Sequence, residues 1–126
     1  MNAMAALRQY QNVGVQAQLH EASPHRLIQM LMEGGLSRIA QARGAMQRGQ
    51  MAEKGQLIGK AVAIIGGLRD GLNLEAGGDY AERLNALYIY MGRRLLEANR
   101  QNDEHMLDEV ANLLRSIKEG WDGIPQ

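Results

Sequence analysis

The sequence predicts an all-α protein, an antiparallel up-and-down four-helix bundle preceded by a short N-terminal helix or arm. Three observations carry this expectation. Apolar residues recur at intervals of three and four along four successive segments, which is the spacing of one helical face. The interruptions between those segments are short, so successive helices must fold back on one another. No stretch shows the strict apolar/polar alternation, bounded by turn residues, of a half-buried strand. The 126 residues make one domain, long enough to bury roughly two-thirds of its unfolded surface without metals or crosslinks.

Residues 1–22 are expected to be an arm packing on a bundle formed by residues 23–126. In the arm, Leu7, Tyr10, Val13, Val15 and Leu19 are scattered among Gln, Asn and Gly, which suits a short helix or a loose segment. Ser23-Pro24 then signals a helix start: a hydroxyl N-cap is followed by Pro at the first helical position, where its missing N–H costs nothing. This first helix should reach about Arg48 on a seam of Ile28, Leu31, Gly35, Ile39, Ala42 and Met46, with Leu27 and Met32 on its flanks. Each Gly costs a helix interior roughly 1 kcal/mol relative to Ala, so the Gly34-Gly35 pair inside it marks either the close approach of a neighbour or a simple weak point.

A second and most apolar helix is expected over about Met51–Leu74, with Ile58, Ala61, Ile65, Leu68 and Leu72 as its seam. Asn73 to Gly78 reads as a turn, and Asp79 as the N-cap of the third helix. On that helix Ala81, Leu84, Tyr88, Met91, Leu95 and Ala98 form the buried stripe. Asn102 is expected to cap the fourth helix, whose seam is Leu107, Val110, Leu114, Ile117 and Trp121 and which Gly123 and Pro125 terminate.

Two residues of the third helix do not belong to its seam. Ile89 and Leu96 are seven apart, hence within about 20° of each other, and both lie more than about 100° from Leu84. Gly92 between them lowers the wall of whatever they line. Either the helix is buried on two sides, or Ile89, Gly92 and Leu96 form an apolar groove that accepts a partner helix.

Several classes of function are disfavoured by composition. Lys plus Arg and Asp plus Glu are 14 each, which removes the electrostatic basis for a nucleic-acid or membrane-surface binder. Arg93 and Arg94 point about 100° apart on a helix and read as a solvated face. The absence of Cys excludes thiolate chemistry and favours a cytoplasmic location. Nothing approaches the ~20 apolar residues of a membrane span, and the N-terminal stretch has no sustained apolar run, so neither insertion nor leader-directed secretion is expected. His20, His25 and His105 lack a partner spacing for metal or acid/base work and are expected at the surface or in caps. No Glu-x-x-His pair of a di-iron bundle occurs, and the Gly pairs fall within helices rather than in a phosphate loop. No catalytic residue, cofactor or metal is expected. The eight Met residues suit a surface that accepts another protein's helices, because the thioether chain adapts its shape. Met46 and Met91 fall on seams and should be core; Met30 falls opposite its seam and should be exposed.

Several stretches, in order, cover most of the chain: Tyr10, the run Ala22-Ser23-Pro24-His25-Arg26-Leu27-Ile28, Met30-Leu31, and Glu75-Ala76-Gly77-Gly78. They continue through Leu84, Leu87-Tyr88, Tyr90-Met91, Arg94-Leu95, Ala98 and Asn99 and close with Trp121. Together they resemble the flagellar secretion chaperone FliS family. Met32 departs from the family pattern, which generally has an aromatic there. The resemblance implies a cytoplasmic protein, not an enzyme, around which the C-terminal segment of flagellin wraps as separate helices. The client would thereby be kept from polymerising and delivered to a component of the flagellar export gate. It also implies that the arm, with Leu7 and Tyr10 on one helical face, covers part of the binding surface. The candidate partner-binding residues are therefore Leu7, Tyr10, Met30, Met32, Ile89, Gly92 and Leu96. A second class stays open: a structural or oligomerising bundle, for instance a homodimer, with no export client.

Overall fold

The computed structural model describes residues 22–125, and among them it contains four helices and no strand. They are α1 (Pro24–Gln47), α2 (Met51–Asp70), α3 (Leu74–Gln101) and α4 (Glu104–Asp122). The expected arm lies, apart from Ala22, outside the described residues. No helix among those residues is long and apolar enough to cross a membrane.

Local chemistry sets each boundary. The Ser23 hydroxyl accepts the Arg26 N–H at 3.1 Å, and Pro24 occupies the first turn of α1, as expected. Gly49, at φ 71°, makes the reversal into α2. That helix ends at Asp70, earlier than its apolar spacing suggested, because the chain turns through Gly71 and Asn73 starts α3. The Asn73 side chain accepts the Ala76 N–H at 3.1 Å, so it, and not Asp79, is the N-cap. The segment expected as a plain turn thus contains a helical turn of its own. Gly78, at φ 54° and ψ −138°, then breaks the helix before its long run begins.

The α3–α4 junction also differs from expectation by one residue. Asn102 takes the left-handed conformation and ends α3, with its N–H bonded to the Ala98 carbonyl. Asp103 caps α4, accepting from His105 N at 2.9 Å and Met106 N at 3.3 Å. Asn tolerates the left-handed region better than most residues, and a carboxylate suits the positive end of a helix, so the two divide the work in that order.

Each helix packs against its neighbours in sequence, and α1 also packs against α4. The direction of the pairs follows from their contacts. The start of α1 meets the end of α4 through His25 and Trp121, and the end of α1 meets the start of α4 through Arg43 and Glu104. Lys54 near the start of α2 reaches the end of α3. The core lies where the seams converge, with Met32, Ile58, Ile64, Met91, Leu95, Leu107, Val110 and Leu114 fully buried. Gly35 is a close-approach position: a Cβ there would lie 3.0 Å from the Leu114 side chain and 3.4 Å from that of Ile64. Gly66, in contrast, faces open space.

Two burial expectations are corrected. Met30, expected to be exposed, is only 4% accessible and belongs to the core cluster. The reason is that α1 packs on both α2 and α4, so a second stripe of Met30, Gly34, Arg38 and Ala45 is covered beside the seam. Leu84, expected in the shared core with Ala81, Tyr88, Met91 and Leu95, is half-buried and packs on the core's edge. It borders a cavity near the break at Gly78.

Candidate functional site

Two apolar depressions lie on the described surface of the bundle. The first is a groove of about 250 Å³ on the outer side of α2 and α3. Val62, Ile65, Gly66 and Arg69 of α2 face Tyr88, Ile89, Gly92, Arg93 and Leu96 of α3 across it. The off-seam triad Ile89, Gly92 and Leu96 is therefore brought together as its spacing suggested. Leu96 is 56% exposed, too open for a core residue of the bundle. No atom lies within 4 Å of a Cβ added at Gly92 or Gly66, so the missing side chains leave the groove wide.

The second depression lies at the end of the bundle where α1 begins and α4 finishes. A cavity of about 360 Å³ is walled by Ile28, Met32, Leu72, Tyr80, Leu84 and Trp121 among others. A shallower one of about 410 Å³ adjoins it over Pro24, Leu27, Leu31 and Trp121. Ile28, Gly71 and Trp121 border both. Met32 is thus a wall of an apolar cavity, but its side chain is only 1% accessible and belongs to the core. Tyr80, 59% exposed, stands at the rim. Burial, with Tyr80 adding to it, pushes the neighbouring Tyr88 hydroxyl up to about 12, so Tyr88 is a neutral hydroxyl at any physiological pH.

The candidate residues fall into three groups. Ile89, Gly92 and Leu96 share the α2/α3 groove. Met30 and Met32 are core positions, of which only Met32 borders a cavity. Leu7 and Tyr10 lie outside the described residues.

Polar contacts fix the helices that carry these surfaces, and sequence spacing did not disclose them. His25, expected as a surface or capping residue, is half-buried and stacks on Trp121. Arg94, expected to be solvated, pairs with Glu109 of α4 at 2.7 Å, and Tyr90 donates to the same carboxylate at 2.6 Å. Those two hydrogen bonds, from Tyr90 and then Arg94, hold the Glu109 carboxyl below the usual carboxylate range. Neither partner is near Glu109 in sequence, so only a search for oppositely charged residues on adjoining helices could have suggested the pair. Among the described residues no cluster of His, Asp and Glu is arranged to hold a metal ion.

Comparison with known proteins agrees with the resemblance drawn from the sequence. The sequence model of the family described as flagellar protein FliS matches residues 6–126. The flagellar secretion chaperone FliSB of Pseudomonas aeruginosa is 60% identical over 124 residues, covering 98% of both chains. The flagellar secretion chaperone FliS of Vibrio cholerae is 46% identical over 95% of this chain and 88% of its own. Its counterpart in Salmonella typhimurium is 42% identical over 96% and 90%. A four-helix bundle with open apolar grooves, matched over nearly its whole length by these proteins, belongs to the flagellar protein FliS family.

Proposed function

We propose that the chain is a flagellar export chaperone that binds the C-terminal helical segment of flagellin, keeps it from polymerising, and helps deliver it to the export gate. It works in the cytoplasm and by binding alone, not as an enzyme. The observation that carries this reading is the α2/α3 groove, where Leu96 stands exposed and Gly92 leaves room for a partner. A disordered client tail that folds as it binds would lay its apolar face there and thereby hide the surface through which flagellin assembles. In the same proposal residues 1–22 are an arm packing on the bundle, whose Leu7 and Tyr10 dock on it in the free protein and are displaced or rearranged when the client arrives.

Calorimetry of the full chain with a flagellin C-terminal peptide tests the proposal. Saturable binding is expected, with altered amide exchange around Leu7 and Tyr10. Leu96→Ser should weaken that binding while leaving the melting temperature nearly unchanged, since the lost contact forms only in the complex. No binding by a folded chain, together with self-association, would instead make it a structural or oligomerising bundle.

A further inference from the structure

The α2/α3 groove is apolar along its floor, but its two charged side chains carry the same sign. Arg69 and Arg93 line it, and no acidic residue does. Neither arginine takes part in an ion pair among the described residues. Among the described residues Arg69 donates to a neutral acceptor, the Asn85 side-chain oxygen, at 2.8 Å. Glu97, one residue beyond Leu96, is taken up by Arg100 and Gln101 of its own helix. Some other cations of the bundle do meet carboxylates across helix boundaries, as Arg43 meets Glu104 and Arg94 meets Glu109. In a chain of zero formal net charge, two guanidinium groups with no carboxylate partner among the described residues, set beside one apolar groove, are a local excess that a partner can use.

We infer that Arg69 and Arg93 are specificity-determining residues of this groove, selecting a client helix that carries carboxylates along one edge of its apolar face. The spacing follows from the helix. The bond to Asn85 holds the Arg69 head at that level of α3, and Arg93 stands eight residues further along. That separation is about 12 Å, or two turns. A helix lying along the groove meets both cations when its carboxylates are about seven or eight residues apart. The guanidinium group suits this task, since it stays charged and grips a carboxylate through paired N–H donors. The apolar floor would then supply most of the affinity, while the two arginines set which helices bind and in which direction.

This inference rests on the proposed seating of a flagellin helix in the groove, and the experiment separates the two. The affinity of the full chain for a flagellin C-terminal peptide is measured for the wild type, for Arg69→Gln/Arg93→Gln and for Leu96→Ser. Each is measured at about 0.1 M and about 1 M salt, between which the Debye length shrinks from about 10 to about 3 Å. Melting curves establish that each variant folds. The arginine double variant should bind about three- to tenfold more weakly at low salt, on the scale of two partly exposed ion pairs. It should match the wild type at high salt. A peptide whose Asp and Glu are replaced by Asn and Gln should lose the same factor against the wild type and nothing further against the double variant. Leu96→Ser should weaken binding at both salt concentrations. If Leu96→Ser binds poorly while the arginine variant keeps wild-type affinity and salt dependence, the groove stands and the charge selection is wrong. If Leu96→Ser binds normally, the client does not sit in this groove, and the inference falls with that reading.

Discussion

His25 and Trp121, ninety-six residues apart, hold each other twice. The His25 Nε2 donates to the Trp121 carbonyl at 2.8 Å, and the Trp121 indole N–H donates to the His25 carbonyl at 3.0 Å. Their rings stack with centroids 4.9 Å apart and planes 12° from parallel. The first turn of α1 is thereby tied to the last turn of α4, where the Trp121 carbonyl, which accepts the Ile124 N–H at 3.1 Å, takes His25 as a further donor. The tie also fixes Trp121, which with Ile28 and Gly71 borders both cavities at that end.

His25→Ala should therefore cost about 1–3 kcal/mol, since it removes the stack and a hydrogen bond that the Trp121 carbonyl accepts beside the one from the Ile124 N–H. Trp121→Phe keeps an aromatic ring and loses one hydrogen bond, so its cost should be smaller. Urea denaturation measures both, and equal stability of the wild type and His25→Ala would contradict the tie.

Lys54 is the second polar anchor. Its side chain is buried, and the ammonium donates to the Asn99 carbonyl and the Asn102 side-chain oxygen, each at 3.1 Å. A cation at the negative end of α3 satisfies a carbonyl that the helix leaves unpaired. Lys54→Met should lower stability by about 1–3 kcal/mol, the range for leaving buried polar groups unsatisfied. Thermal unfolding should show the loss together with faster amide exchange in the last turn of α3.

Acid should loosen the bundle through identifiable carboxylates. Hydrogen bonds from Gln47 and Arg43 of α1 hold Glu104 below the ordinary range. Those from Tyr90 and Arg94 of α3 do so for Glu109, and those from Lys118 and Gln29 for Asp122. Because each is lowered in the folded state, the unfolded chain takes up these protons first as the pH falls. The stabilisation is thus complete above the ordinary carboxylate range and is lost as the pH drops through the lowered values. Denaturation midpoints followed from neutral to acid pH should decline on that limb, and Glu104→Gln with Glu109→Gln should flatten it. An unchanged slope in the double variant would place the acid sensitivity elsewhere.

Gly92 separates stability from binding. Nothing obstructs a Cβ there, so Gly92→Ala should stabilise α3 by about 0.5–1 kcal/mol through helix propensity alone. Gly92→Leu should also fold, but should fill the groove and weaken the flagellin peptide. A Gly92→Leu chain that melts normally and binds undiminished would show that the client passes this groove by.

The four helices and most of their buried faces are legible in the amino-acid order alone, because a 3.6-residue period and capping chemistry are local properties of the chain. A seam of this kind needs no partner to be recognised: Leu31, Ile39, Leu95 and Leu114 announce their faces by spacing and are buried as expected. The same period singled out Ile89 and Leu96 as lying off the seam, and they do line one groove. Which off-seam residues are covered, however, was settled by packing. Met30 and Leu96 both stand away from their helices' seams, yet one is buried and the other exposed. Burial depends on whether a neighbouring helix covers a face, and α1 carries its second stripe into the core while the outer edge of α3 stays open. The reciprocal bonds of His25 with Trp121 and the pairing of Arg94 with Glu109 were likewise beyond spacing. They join residues that the chain brings together only after its helices have packed.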